Sequence, residues 1–191
     1  MRAYKVITPA VANVVTLSEV KSHLKVDTTA DDTLITNLIS AAQASCEEYT
    51  NRLFIRTTLV QYSDNWNGIS ELFKSPVKTI TNIKYYDTDN VLQTLAASVY
   101  QIDKAYMPTR VALQPDQSFP SVANRINAIE VTYDVGEADA ANVSDGIKQA
   151  VLLTIGHWYQ NRESVVIGRI STEIPMTSKY LLDQYKIQVI R

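Results

Sequence analysis

The sequence predicts an α+β fold: a small bundle of three to four α-helices with an antiparallel β-sheet insertion between helices 2 and 3. Three observations support this prediction. Apolar residues recur every three or four positions toward both ends of the chain. The central region is instead rich in β-branched and aromatic residues, broken by turn residues. A chain of 191 residues, 46% of them hydrophobic, is also long enough to bury a sizeable core.

The stretch "VTLSEVKSHLKV" predicts a short first helix over about residues 17–25. Thr16 stands at the N-cap with Glu19 three positions later, which is the pattern of a capping box. Leu17, Val20 and Leu24 follow at helical spacing, so one face of this helix is expected to be apolar.

A long second helix is predicted over about residues 30–51. Thr28 or Thr29 is the expected N-cap, and Asp31 and Asp32 fall in the first turn, where the helix dipole favours negative charge. An apolar stripe at intervals of three and four residues makes this helix amphipathic. The stripe comprises Leu34, Ile35, Leu38, Ile39, Ala42, Cys46 and Tyr49.

The region 53–135 predicts a small antiparallel sheet of about five to seven strands. Its strand-like stretches are "FIRTTLVQYSDNW", "NGIS", "KTITNIKYYDTDNVLQTL", "SVYQID", "TRVALQP" and "NAIEVTYDVG". Within them, "YYDTDNVLQ" has the form of a hairpin whose loop runs from Asp87 to Asn90.

A third helix is predicted over about residues 145–162, with Ser144 at its N-cap and Ile147, Val151, Ile155 and Trp158 on one stripe. Trp158 is therefore expected to be a core anchor between helices. The stretch "HWYQNRES" at its end is interpreted as core plus interface in preference to a ligand site.

A short fourth helix is predicted near residues 176–185. Pro175 suits the first turn of a helix because the proline ring already holds the required backbone angle. An extended tail is expected to follow.

Charge is modest overall but uneven along the chain. The net charge is −2 and the isoelectric point about 5.7, which argues against a protein that grips nucleic acid. Residues 1–147 carry 12 Lys and Arg against 17 Asp and Glu, whereas residues 148–191 carry 6 against 3. The two parts are thus expected to complement each other between subunits. No apolar run approaches the roughly 20 residues of a membrane span, so a soluble, unexported protein is predicted.

Few residues offer catalytic or metal-binding chemistry. Cys46 is the single cysteine, which excludes an intrachain disulfide and fits a reducing cytosol. His23 and His157 lie on different helices without a metal-binding motif, and Asp31 with Asp32 is explained by the helix dipole. The "DTDN" stretch lacks the glycine and glutamate of a calcium loop, and no glycine-rich phosphate motif occurs. No catalytic, cofactor-binding or metal-binding residue is predicted.

Four stretches together resemble a known family. They are "ITPAVANVVTLSEVKSHLKVD", "DDTLITNLISAAQASCEEYTNR", "SPVKTITNIKYYDTDN" and "IKQAVLLTIGHWYQNRESV", which span about residues 7–166. In this order and at these separations they resemble the phage head–tail connector proteins, also called head-completion or adaptor proteins, of the gp6-like and phiE125 gp8-like group. The ending "IPMTSKYLLDQYK" fits the family more loosely.

The resemblance implies a non-enzymatic ring, usually of twelve copies, that docks under the portal after DNA packaging. Such a ring extends the DNA channel, touches passing DNA transiently, and presents a surface to the stopper or the tail-completion protein. It implies a virion protein of the neck, made in the bacterial host cytoplasm and not bound to a membrane. A single connector domain over 1–191 is expected, with a helical core of 16–51 and 145–185 and a β-rich insertion of 53–135.

Two sets of contact residues follow as hypotheses. His157, Arg162 and Glu163 are expected at or near the subunit interface. Tyr180, Leu181, Leu182, Tyr185 and Lys186 are expected to dock on the portal protein. The N-terminal "MRAYKV" is a further candidate, as a strand added to a neighbour.

Two alternatives from other classes stay open at this point. One is a tail-completion or neck protein that binds the tail side. The other is a small-ligand-binding or hydrolytic domain in the sheet that uses Tyr85, Tyr86, Asp87 and Asp89.

Overall fold

A computed structural model describes residues 3–161, 165–166, 169–170 and 174–187. The chain divides into two compact units, neither of them continuous in sequence. The sheet unit consists of Met1–Ala10, Arg56–Glu137 and Ile187–Arg191. The helical unit consists of Val11–Ile55 and Ala138–Lys186. The prediction that the whole chain forms one connector domain stays a prediction.

The helical unit contains the four predicted helices. They are α1 (Leu17–Leu24), α2 (Asp32–Thr50), α3 (Asp145–Gln160) and α4 (Met176–Asp183). The capping box of α1 is confirmed, because the Glu19 amide donates to Thr16 Oγ1 at 3.2 Å and the Thr16 amide donates to Glu19 Oε2 at 2.6 Å. The unit also holds a two-stranded antiparallel pair after α3, whose bounds are given with the other strands below.

The start of α2 differs from the prediction. Its N-cap is Asp31, not Thr28 or Thr29, and the Asp31 side chain makes no capping hydrogen bond. The Asp31 carboxylate is engaged instead by a residue far along the chain: the hydroxyl of Tyr159 donates to Asp31 Oδ2 at 2.5 Å. The helix ends at Thr50, and Asn51 follows in the left-handed conformation with φ 55°.

Only part of the apolar stripe predicted on α3 is buried in the core. Ile147, Val151 and Ile155 are buried as predicted, but Trp158 is only half-buried, so its role as a core anchor was overestimated. Thr154 is fully buried beside this stripe, and its hydroxyl donates a hydrogen bond to the Ala150 carbonyl at 2.8 Å. A threonine can occupy this core position because that bond satisfies its hydroxyl.

In chain order the described strands are β1 (Ala3–Thr8), β2 (Thr57–Ser63), β3 (Val77–Tyr86), β4 (Leu92–Thr94), β5 (Tyr100–Asp103), β6 (Arg110–Leu113), β7 (Ile129–Val135), β8 (Val165–Val166) and β9 (Arg169–Ile170). A five-stranded antiparallel sheet in the order β1-β2-β7-β3-β4 forms the centre of the sheet unit. β5 pairs with β6 and β8 pairs with β9 as separate antiparallel ribbons.

The predicted insertion between helices 2 and 3 matches this sheet in part. Strands β2 to β7 do lie between α2 and α3, but β1 precedes α1 and pairs with β2 of its own chain. The stretch "NGIS", predicted as a strand, is instead part of a 3₁₀ turn over Trp66–Ile69. A glycine within a stretch weakens its tendency to form a strand. The turn also requires glycine at position 68, because a Cβ there would lie 2.0 Å from Ser63 Oγ.

The central strand β7 organises the core of the sheet unit. Its residues alternate between buried and half-buried, with Ile129, Val131, Tyr133 and Val135 inward, the pattern expected of a strand with one core face. Neighbouring strands add further buried residues to this core. From the strands these are Leu59, Val77 and Ile83, and the β2–β3 connection adds Ile69 and Leu72.

Candidate functional site

The polar residues at the end of α3 join helices within the helical unit. Besides the Tyr159–Asp31 bond, Lys21 Nζ of α1 lies 2.6 Å from Asp32 Oδ1. The two adjacent aspartates of α2 therefore engage two different helices. Their carboxylates brace the bundle and do not converge on one point, as a metal site would require.

His157 is half-buried on the last turn of α3. Its carbonyl accepts a hydrogen bond from Asn161 Nδ2 at 2.8 Å, which helps to end the helix. Arg162 and Glu163 lie outside the described residues. The assignment of His157, Arg162 and Glu163 to a subunit interface therefore stays a prediction.

The C-terminal part of α4 packs against its own chain. Leu182 is fully buried, and the hydroxyl of the half-buried Tyr185 forms a hydrogen bond with the hydroxyl of Ser144. The Arg52 Nε donates to the carbonyl of Tyr185. These contacts tie α4 to the ends of α2 and α3 inside the helical unit.

Tyr49 of α2 adds a second tether for α4. Its hydroxyl donates to Asp183 Oδ1 at 2.6 Å, and the ammonium group of Lys186 lies 4.2 Å from the centre of its ring. The bond to the Asp183 carboxylate raises the pKa of Tyr49. Lys186, assigned to portal docking from the sequence, thus already has a partner within the helical unit.

The exposed part of α4 is smaller than the predicted docking set. Tyr180 is 80% exposed and Met176 88% exposed, and the two lie one helical turn apart on the same side. Leu181 is half-buried. A partner can reach Met176 and Tyr180 while α4 stays in place, whereas Leu182 is covered. The binding of these residues to a portal protein stays a prediction.

An open cleft of about 430 Å³ lies in the sheet unit beside the start of β1. It contains the carboxylates of Asp64 and Glu71, and Asp64 Oδ1 already accepts the amide of Asn127 at 2.7 Å. Among the described residues, no three His, Cys, Asp or Glu side chains are grouped so that they could hold a metal ion. The remaining lining residues are Ala3, Tyr62, Ser63, Asn65, Asn67, Gly68, Ser70, Phe73, Ile126 and Asn127.

The hairpin residues considered for ligand binding are used by the turn itself. Asp87 accepts the amides of Asp89 and Val91 at 3.1 and 2.9 Å and the side-chain amide of Gln93 at 2.8 Å. These bonds favour the ionised form and lower the pKa of Asp87. Asn90 completes the turn with φ 61°, a conformation that asparagine tolerates.

The aromatic residues of this hairpin are packed on neighbouring loops. Tyr85 lies in a tilted arrangement 5.6 Å from Trp66, and the guanidinium of Arg125 stacks 3.8 Å from the ring centre of Tyr86. Trp66 also stacks on Phe119 at 4.4 Å. Tyr85, Tyr86 and Asp87 therefore brace the hairpin through contacts with the rest of the chain.

Cys46 offers no nucleophile. It is fully buried with its Sγ 3.9 Å from Thr154 Oγ1, and burial raises its pKa to about 11. Because the thiolate is the reactive form, the thiol is inert near neutral pH.

Sequence reasoning offered "MRAYKV", which contains most of β1, as a strand added to a neighbour, but it missed β4 as a second exposed edge of the same sheet. All six residues of β1 and all three of β4 are exposed. Tyr4, Val6 and Ile7 on β1, and Val91 and Leu92 at β4, are each between 42% and 52% exposed. A strand exposed on both faces shows no alternation of polar and apolar residues, so it leaves no period-two signal in the sequence.

No helix in the part of the chain that the structure describes is long and apolar enough to cross a membrane.

The family whose sequence model matches the chain is described as head completion protein, and the match covers residues 13–185. No curated protein matches the chain. Several solved structures share its fold at low sequence identity.

One similar structure is described as the virion of a native gene transfer agent particle, with a TM-score of 0.80, 18% identity, and coverage of 98% of this chain and 97% of that chain. A second is described as the neck of the native particle computed with C12 symmetry, with a TM-score of 0.75, 20% identity and coverage of 99% and 97%. A third, the neck of the empty particle computed with C6 symmetry, has a TM-score of 0.75, 18% identity and coverage of 99% and 97%.

Proposed function

The chain belongs to the head completion protein family, and from this premise we propose that it is a structural head–tail connector of a phage-like particle. The observation that carries the proposal is the family match over residues 13–185, which includes residues of both units. A connector of this kind resides in the virion at the junction of head and tail and catalyses no reaction. The side chains of Asp31, Asp32, Asp87 and Cys46, which could have served chemistry, are used to hold the fold.

We propose further that the protein assembles as a ring of twelve copies under the portal and extends the DNA channel. The relative from the native particle, which was computed with C12 symmetry, supports this assembly. The charge also suits a conduit, because each phosphate neutralised by Lys or Arg would add affinity and slow the passage of DNA. A net charge of −2 keeps that affinity low.

The contact with the portal is proposed to include the exposed side of α4. Met176 and Tyr180 supply an apolar and an aromatic side chain that are 88% and 80% exposed. The tethers of Tyr49 and Tyr185 hold the helix in place, so little conformational freedom is lost on binding. The opposite end of the ring would then present the surface for the stopper or tail protein.

The proposal is tested by measuring particle mass, by mass photometry, for the protein alone and with the portal protein of the same particle. We expect either a discrete ring near twelve subunits of 21.4 kDa or a portal whose mass rises by a fixed multiple of that value. A protein that stays monomeric and ignores its portal but binds isolated tails would show that it is a tail-side protein instead.

A matched pair of variants tests the docking surface. Tyr180→Ala should weaken portal binding without lowering the melting temperature, because its side chain is 80% exposed. Tyr106→Ala is the control, since Tyr106 is also exposed but lies in the β5–β6 loop of the sheet unit. Equal portal binding by both variants would remove Tyr180 from the docking surface.

The predicted subunit interface is tested separately. We propose that His157, Arg162 and Glu163 contact the neighbouring subunit. Glu163→Arg should then reduce the fraction of ring at a given concentration while the portal contact of any remaining ring is unchanged. An unaltered ring fraction would exclude Glu163 from the interface.

A further inference from the structure

Both outer strands of the five-stranded sheet are exposed, and they lie at opposite edges. β1 forms one edge and β4 the other. We propose that β1 of one copy pairs with β4 of the next, so that the sheets of neighbouring subunits join edge to edge around the ring. This inference rests on the proposed ring and identifies the surface that closes it.

The edges offer the hydrogen-bonding groups that such pairing needs. The outer side of an edge strand carries a row of backbone N–H and C=O groups without a strand partner, which is a ready template for another strand. β1 is six residues long, and its exposed apolar residues Tyr4, Val6 and Ile7 lie on both of its faces. A neighbouring strand would pair the backbone and cover part of these side chains at the same time.

The opposite edge has matching properties. All of β4 is exposed, and Val91 and Leu92 give it an apolar end with exposures of 52% and 42%. Val91 and Leu92 can therefore pack beside Val6 and Ile7 of the adjacent copy. Burial of such apolar area is the main favourable contribution to association.

A ring requires each subunit to have two different contact surfaces. Copies related by rotation in a ring meet through two different patches, whereas a two-fold dimer uses the same patch twice. The two edges of one open sheet are different patches that are complementary in backbone hydrogen bonding. Pairing of β1 with β4 therefore extends from copy to copy, while pairing of β1 with another β1 would stop at two.

The strand directions determine how the two edges meet. Each neighbouring pair in the order β1-β2-β7-β3-β4 is antiparallel, so β1 and β4 run in the same direction. Copies that continue the sheet in the same orientation would bring β4 and β1 together as a parallel pair. Their amino-terminal ends would then lie at the same end of the junction.

Charge agrees with the parallel arrangement. Lys5 lies in the amino-terminal half of β1 and is exposed, and Asp89 lies in the turn that leads into β4. Neither side chain has a hydrogen bond or ion pair within the part of the chain that the structure describes. Parallel pairing brings this ammonium group and this carboxylate toward each other across the junction, whereas an antiparallel pair would separate them.

Cross-linking of paired cysteines in the assembled ring tests the inference. Lys5→Cys is combined in turn with Leu92→Cys, Gln93→Cys and Thr94→Cys, and a short bismaleimide is used because it tolerates an offset in register. Cys46 is fully buried and stays unreacted in the folded protein. The control combines Lys5→Cys with Thr81→Cys, an exposed position on the interior strand β3.

We expect a ladder of covalent multimers that extends to the full ring for at least one β1–β4 pair, and no ladder for the control. A ring of unchanged mass that gives no ladder would overturn the edge pairing and leave the proposed function intact. Covalent dimers from Lys5→Cys alone, without larger species, would show two-fold pairing of β1 and would also overturn it. Failure to form a ring even with the portal would overturn the proposed function, and the inference with it.

A charge swap provides a second readout. Lys5→Glu should lower the association constant about two- to fivefold per interface, the effect of an exposed ion pair. The double variant Lys5→Glu with Asp89→Lys should restore it. Lys25→Glu makes the same change in net charge on an exposed residue of the helical unit and is the control. A loss that Asp89→Lys does not restore would contradict the pairing of these two residues.

Discussion

At the scale of single residues, Gln61 is the buried polar group that ties the β2–β3 connection to the sheet. Its side chain is fully buried on β2. Nε2 donates to the carbonyls of Gly68 and Glu71 at 3.0 and 3.2 Å, and Oε1 accepts the amide of Phe73 at 3.1 Å and the hydroxyl of Tyr133 at 3.3 Å. One amide thus satisfies four groups of the β2–β3 connection and β7, as a buried polar network requires.

Replacement of this amide should be costly. Gln61→Leu keeps the volume but leaves buried donors and acceptors unpaired, so the free energy of unfolding should fall by roughly 2 to 5 kcal/mol. Urea denaturation measures the change. Gln101→Leu is the matched control, because Gln101 is exposed and its side chain makes a single bond, to the Leu113 carbonyl. Similar losses for the two variants would contradict the role of Gln61.

Cys46 gives a pH-dependent prediction. Its pKa is raised from 9.0 to about 11 by burial, so the folded protein binds this proton more tightly than the unfolded chain. The corresponding stability is present below about pH 9 and is lost as the pH rises through about 11, in total about 2 to 3 kcal/mol. The wild type should therefore lose stability between pH 9 and 11 more steeply than Cys46→Ala, as measured by urea denaturation at a series of pH values.

The control for this experiment is Ser45→Ala, which alters the neighbouring half-buried position without removing a titrating group. It should follow the slope of the wild type. Parallel curves for wild type and Cys46→Ala would mean that the thiol ionises in the folded protein as easily as in the unfolded chain.

At the scale of elements, the sequence correctly predicted the features that depend on contacts between residues close together in the chain. The capping box of α1 was predicted from Thr16 and Glu19 because its partners lie three residues apart. The N-cap of α2 was assigned wrongly to Thr28 or Thr29; it is Asp31, whose side chain is engaged by Tyr159, a partner 128 residues away that no local pattern reveals. Distance along the chain also explains why the pairing of β1 with β2 was not predicted, because the partners of β1 lie 50 to 59 residues further on.

The two caps give a direct comparison. Thr16→Ala should lower the free energy of unfolding by about 1 kcal/mol, since it removes the acceptor for the Glu19 amide. Thr29→Ala should change it by less than about 0.5 kcal/mol, because the side chain of Thr29 does not cap α2. Chemical denaturation of both variants is the measurement. A larger effect at Thr29 would restore the sequence-based assignment of that cap.

The candidate docking helix α4 was predicted as an element, but its buried and exposed sides were not. Amphipathic spacing identifies an apolar face without saying whether that face meets its own core or a partner. Leu182 belongs to the protein's own core, whereas Tyr180 on the other side stays exposed. The distinction depends on Tyr49, Ser144 and Arg52, which are far from α4 in sequence and carry no motif.

At the scale of the whole molecule, the two units are interleaved in sequence. The helical unit consists of two segments joined only through Arg56–Glu137, which is the body of the sheet unit. If the sheet unit unfolded alone, this connection would become a long flexible loop that the helical unit would have to close. By the dependence of loop entropy on length, that closure costs roughly 4 kcal/mol. We therefore expect the two units to unfold together.

The two tryptophans allow a test, because Trp66 lies in the sheet unit and Trp158 in the helical unit. Trp158→Phe leaves a fluorophore that reports on the sheet unit, and Trp66→Phe leaves one that reports on the helical unit. Circular dichroism measures the global stability of each variant and so accounts for the effect of the substitution itself. Within each variant, the urea midpoint measured by fluorescence should coincide with the midpoint measured by circular dichroism. Separate midpoints would show two independently folding domains.

The order of the sheet could not be predicted from sequence at this scale. The strand-rich region and the number of strands follow from composition and turn residues, but the placement of β7 between β2 and β3 depends on pairing across long stretches of chain. The exposed edges β1 and β4, the basis of the proposed subunit junction, follow from that order. They are a property of topology and not of any motif.

The pairing of β1 with β2 also has a consequence for how the protein is made. During translation β1 emerges some fifty residues before β2, which at typical elongation rates of 5–20 residues per second is an interval of roughly 3 to 10 seconds. β2 itself then waits for β7 as its second neighbour. The nascent chain thus carries β1 without its partner strand while about fifty further residues are made, and we expect its yield to depend on chaperones that shield that strand on the ribosome.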